Sequence, residues 1–86
     1  MPTIFYTEPE TGFSYSLVVT EAEAYDISTA NPCKAQRIAL PETSGTIDFD
    51  ANGKATITSP KGKHSFANSS DVVRSAKDAL QGESDL

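Results

Sequence analysis

Apolar and polar residues alternate through the first twenty positions, and one turn interrupts the alternation. Thr3–Glu8 and Phe13–Val19 flank Pro9-Glu10-Thr11-Gly12, with proline early and glycine late, as a four-residue turn favours. Setting Glu8 opposite Phe13 pairs Tyr6 with Tyr15 and Ile4 with Leu17. In that register Phe13, Tyr15, Leu17 and Val19 share one face, and Ser14, Ser16 and Thr20 share the other. Phe5 and Val18 are the exceptions. They fall on the polar side, where they need cover from another element or from a partner.

A second hairpin is predicted around Ala51-Asn52-Gly53, between Thr46–Asp50 and Lys54–Thr58. A two-residue Asn-Gly loop would put Ile47 and Phe49 on the face opposite Ala55 and Ile57. A three-residue loop with Gly53 left-handed pairs Phe49 with Ala55 and Ile47 with Ile57, so the pattern selects the longer loop. A further strand follows, and a four-residue loop over 60–63 would set Phe66 opposite Ile57. Val72, Val73, Ala76, Ala79 and Leu80 then recur at helical spacing. Ser69 or Ser70 is placed to cap this helix, Asp71 lies in its first turn, and Gly82 is expected to stop it.

Between the hairpins, Thr20-Glu21-Ala22-Glu23 has the capping-box pattern and opens a short helix to about Ile27. Ser28–Pro32 reads as a loop, and Lys34–Leu40 as a strand with Ile38 and Leu40 inward. The class is α+β: an antiparallel sheet of about five strands, built on two hairpins, with a C-terminal amphipathic helix on one face. A single domain is expected over 1–82, with a frayed tail over 83–86.

Length and charge narrow the function. Eighty-six residues suit one small domain with a small core, not two lobes around a cleft. Twelve acidic against seven basic residues give a net charge of −5, which argues against direct binding of nucleic acid or of an anionic membrane. Residues 1–26 hold Glu8, Glu10, Glu21, Glu23 and Asp26 and not one Lys or Arg. One cysteine, Cys33, makes no internal disulfide, and the amino-terminal stretch carries neither a basic leader nor a long apolar run. A cytoplasmic protein without a membrane span is the expectation.

The chemistry-bearing residues are few. Asp48-Phe49-Asp50-Ala51-Asn52-Gly53 matches the first half of an EF-hand loop. The bidentate glutamate such a loop needs falls at Ser59, and the flanks alternate as strands, so a turn is the better reading. His64, the only histidine, has no orienting carboxylate or nucleophile forced beside it, which leaves an exposed loop histidine. One His and one Cys cannot build a structural zinc site, and no cofactor is implied. Asn68-Ser69-Ser70 has the glycosylation spacing, but without a signal sequence it reads better as helix-capping chemistry.

Surface, not catalysis, is therefore the expectation: a non-enzymatic protein–protein interaction module whose partner carries a basic surface. Its candidate contacts are Phe5, Glu8, Glu10, Val18, Glu21, Glu23 and Asp26. An edge strand offers a route to a partner strand or to a homodimer. In size and acidity the chain is similar to small phage-encoded inhibitors of host proteins, a likeness of composition that covers no motif. A sharper form of the reading makes it an inhibitor of a nucleic-acid-binding protein. The alternative is a nucleic-acid or phosphate-ligand binder using Lys34, Arg37, Lys61, Lys63 and His64, provided those five share a face.

Overall fold

The computed structural model describes residues 1–7 and 10–84, with the side chains of 83 and 84 excepted. Six strands and two helices follow in the order β1 (Thr3–Thr7), β2 (Ser14–Val18), α1 (Glu21–Ser28), β3 (Gln36–Leu40), β4 (Gly45–Phe49), β5 (Ala55–Ser59), β6 (Gly62–Phe66) and α2 (Ser69–Ser84). The class is α+β, as the pattern predicts. The strands number six, not about five, and they form two antiparallel sheets: a β1–β2 ribbon and a β3–β4–β5–β6 meander.

The β1–β2 and β4–β5 hairpins keep the predicted registers. Ile4 faces Leu17 and Tyr6 faces Tyr15 in the ribbon, while Ile47 faces Ile57 and Phe49 faces Ala55 in the meander. Gly53 is left-handed at φ +81°, and the amide of Asp50 closes the turn on the carbonyl of Lys54 at 3.0 Å. The β5–β6 hairpin differs from expectation. Ser59 pairs with Gly62, so the loop is Pro60-Lys61 alone, and Phe66 faces Ala55 while His64 faces Ile57. Shortening the loop by two residues slides the strand by two, and a side-chain period of two keeps every residue on its face. Alternation is blind to that shift. The shorter loop sets the largest ring against the smallest inward side chain.

One face of the meander is apolar and covered. Leu40, Ile47, Ile57 and Phe66 are fully buried there, and they join Ile4, Leu17 and Val19 of the ribbon, Ala24 and Ile27 of α1, and Val72, Val73 and Ala76 of α2 in one core. Each fully buried Val, Leu, Ile or Phe side chain among them contributes roughly 1.5–3 kcal/mol. The other face of the meander is polar: by the strand period it carries Arg37, Asp48, Thr46, Thr56, Thr58 and Lys63. α2 packs against α1 and along β1.

Both helices begin with caps. Thr20 and Glu23 form the predicted capping box at α1. The cap of α2 is Asn68, one residue before the serines expected in that role: its Oδ1 accepts the Ser70 amide at 3.0 Å. Ser69 instead turns inward, 1% exposed, and donates its hydroxyl to the Pro32 carbonyl at 2.7 Å. Its amide bonds to the Gly53 carbonyl at 2.7 Å. Gly82 does not stop α2, which continues to Ser84. Part of the predicted 83–86 tail is thus helical, and residues 85 and 86 lie outside the described residues.

Candidate interaction surface

Ile4 and Tyr6 point into the core, so their neighbours on β1 point out, and alternation brings Phe5 to the outer face of the ribbon. Phe5 sits opposite Ser16, and Val18 sits opposite Thr3. Phe5 and Val18 are therefore diagonal neighbours, about 7–8 Å apart in an antiparallel pair. Among the described residues no element covers them: Phe5 is 68% exposed and Val18 48%. Met1 is exposed nearby on a groove of about 750 Å³ that runs between β1 and α2, lined by Phe5, Thr7, Arg74, Ser75 and Asp78 among others. Arg74 reaches Asp71 at 3.4 Å across one helical turn.

The acidic candidates separate into two kinds. Glu10 is exposed beyond β1, and Glu21 and Asp26 lie on the solvent arc of α1 with Tyr25 between them, itself exposed. Glu8 lies outside the described residues. Glu23 is a correction. It is 3% exposed and turned away from any partner. Its Oε1 accepts the Thr20 amide at 2.9 Å and the Thr43 hydroxyl at 2.7 Å. Its Oε2 accepts the amides of Glu42 at 3.0 Å and Thr43 at 3.2 Å. Burial alone pushes this carboxyl up, but the hydrogen bonds from Thr20 and Thr43 outweigh it and hold the group below its ordinary value. Glu23 fastens the start of α1 to the β3–β4 turn.

The five basic candidates do not share a face. Arg37 and Lys63 both lie on the polar face of the meander, but on opposite edge strands, about 14 Å apart across the sheet at 4.8 Å per strand and two residues apart along it. Arg37 donates Nε to Asp48 Oδ1 at 2.6 Å. That bond, with the attraction of the Asp48 charge, holds the guanidinium still more firmly protonated. Lys61 occupies the Pro60-Lys61 turn, and Lys34 lies in the loop before β3. His64 points the other way, and it is a strand residue, not the exposed loop histidine expected from the sequence. Its ring stacks on those of Phe13 and Tyr15, with centroids 4.8 and 5.1 Å away, and meets Phe66 edge-on at 4.7 Å. The moved register of β6 put it there. His64 Nε2 and the Tyr15 hydroxyl are both buried, and neither has a hydrogen-bond partner among the described residues.

The half EF-hand string is committed elsewhere. Asp48 pairs with Arg37, and Asp50 Oδ1 accepts the amides of Asn52 at 2.8 Å and Lys54 at 3.0 Å, closing its own turn. Among the described residues, no group of three or more His, Cys, Asp or Glu side chains is arranged to hold a metal ion. Cys33 is exposed. Among the described residues, no helix is long and apolar enough to cross a membrane.

Sequence reasoning flagged Phe5 and Val18 but missed Ser75, whose hydroxyl bonds to both backbone groups of Phe5 at 2.8 and 2.7 Å. No pattern in the chain signals a contact across seventy residues. Comparison with protein-family models, with curated proteins and with solved structures finds no match.

Proposed function

We propose that this chain is a non-catalytic interaction module that docks a protein partner through the outer face of its β1–β2 hairpin. The carrying observation is the pair Phe5 and Val18, side by side and uncovered on an otherwise polar face. Large exposed apolar side chains that adjoin one another mark interaction sites more often than singly scattered ones do. Glu10 lies in the turn between the strands and Glu21 and Asp26 on the helix that follows β2, while the one cation on the groove beside Phe5, Arg74, lies there with Asp71, its ion-pair partner, and Asp78. The partner this favours has a basic surface around an apolar contact. A nucleic-acid-binding protein has such a surface, so inhibition of one is the sharper form of the reading, and an intracellular setting suits the single exposed thiol.

The test is affinity capture with the wild-type protein and the paired variant Phe5→Ser/Val18→Ser, with retained proteins identified by mass spectrometry. A partner held by wild type and lost in the pair supports the reading. A partner held equally by both, or lost only when Lys61 and Lys63 are changed to Glu, contradicts it.

A further inference from the structure

The β1–β2 ribbon is closed along one side and open along the other. Phe5, at the centre of β1, turns its backbone groups away from β2. Its amide donates to Ser75 Oγ at 2.8 Å, and its carbonyl accepts from the same hydroxyl at 2.7 Å. One serine on α2 thus occupies the hydrogen-bonding positions of a neighbouring strand. Phe5 faces Ser16. In an antiparallel pair, a residue that turns its amide and carbonyl outward faces one that does the same on the far side. The Ser16 amide and carbonyl therefore point away from β1, and the period of two extends this to Ser14 and Val18. The bond from the Val19 amide to the Pro2 carbonyl, 3.0 Å, fits the same alternation. Among the described residues, the hydrogen-bonding group of another element that approaches these positions is the Thr43 hydroxyl, 3.5 Å from the Val18 carbonyl, and its proton goes to Glu23 at 2.7 Å.

The other open edges are defended. Arg37 lies on β3, with Lys34 before it and Pro41 after it, and Lys63 lies on β6 beside Lys61. Lysine, charge and proline are the usual devices that keep an edge strand from pairing. β2, Ser14-Tyr15-Ser16-Leu17-Val18, has no charge, no proline and no bulge. Its ends are apolar and exposed, Phe13 at 52% and Val18 at 48%. A two-stranded ribbon also gains most from a third strand.

We propose that β2 is a strand-addition edge that captures an extended segment of the protein partner, rich in lysine or arginine. This rests on the interaction-module reading and specifies its mode. Backbone hydrogen bonds to Ser14, Ser16 and Val18 supply affinity, and alternate partner side chains lie over Val18 on one face and Phe13 on the other. The segment is basic because Glu10 stands in the turn before β2 and Glu21 opens the helix after it, two carboxylates against the single Lys54 beside Phe13.

The test titrates isotope-labelled protein with a short capped peptide alternating lysine and valine, and with the same peptide N-methylated at alternate residues. Binding should protect the Ser14, Ser16 and Val18 amides from exchange, and methylation on the bonding side should weaken it roughly tenfold or more. A Ser16→Pro variant removes an edge-facing amide that makes no bond to β1, so it should lose the peptide while remaining folded. Equal binding of the methylated peptide, shifts confined to the α1 carboxylates, or no binding at all would each overturn strand addition. The capture experiment with Phe5 and Val18 would still stand or fall separately. A dimer that Ser16→Pro dissolves would make a second copy the occupant and overturn the choice of a basic peptide.

Discussion

Glu23 shows how one residue can serve two structures. Its place three residues after Thr20 makes the capping box readable from sequence, because that contact is local. Its second role, receiving the amides of Glu42 and Thr43, spans about twenty residues and leaves no local trace. The same residue therefore looked like part of an acidic face and proves to be a buried fastener. Its folded-state carboxyl titrates below the ordinary glutamate value of 4.5. The stability it contributes is thus present above that value and is lost as pH falls through the lowered one. Glu23→Gln puts an amide donor against donors and should cost about 1–3 kcal/mol near neutral pH. Denaturant melts across pH should show the gap between variant and wild type narrowing below pH 4.5, as the wild-type carboxyl protonates. A gap that stays constant into acid would mean the charge is not what matters at Glu23.

At the scale of elements, what was legible is what parity decides. The facing of Ile47, Phe49, Ala55 and Ile57 allowed only an odd-length loop, and Gly53 had to be left-handed. Between β5 and β6 parity permits two loops, and only packing in three dimensions chooses the shorter, so the pattern alone leaves His64 on a turn when it belongs among aromatic rings. The helix ends erred by a residue or two for a related reason. Asn68 and Ser69 are both polar, and sequence cannot show that Ser69 is claimed by the Pro32 carbonyl. The Gly53 turn also supports α2, through the bond from the Ser69 amide to the Gly53 carbonyl. A Cβ at Gly53 meets nothing within 4 Å, so substitution there is a matter of backbone conformation alone. Gly53→Val should lower stability by about 1–3 kcal/mol, and Gly53→Asn, which tolerates φ > 0, by clearly less. Thermal melting orders the two variants, and equal melting temperatures would rule out a left-handed turn.

For the whole molecule, the fold finishes nearly every surface it makes. The meander buries one face and dresses the other in threonines and an Arg37–Asp48 pair, the helices are capped, and Ser75 seals β1. The unfinished region is the hairpin, with Phe5 and Val18 uncovered and β2 carrying no charge on its open edge. Its apolar part was visible in the sequence as two residues on the wrong face, whereas its openness depended on where α2 came to rest. Residue-by-residue amide hydrogen exchange on the free protein tests this most directly. Tyr15, Leu17 and Val19 should exchange slowly, and Ser14, Ser16 and Val18 quickly, in strict alternation along one strand. Slow exchange at Ser14 and Ser16, matching that of Leu17, would show the edge already closed and would contradict the account.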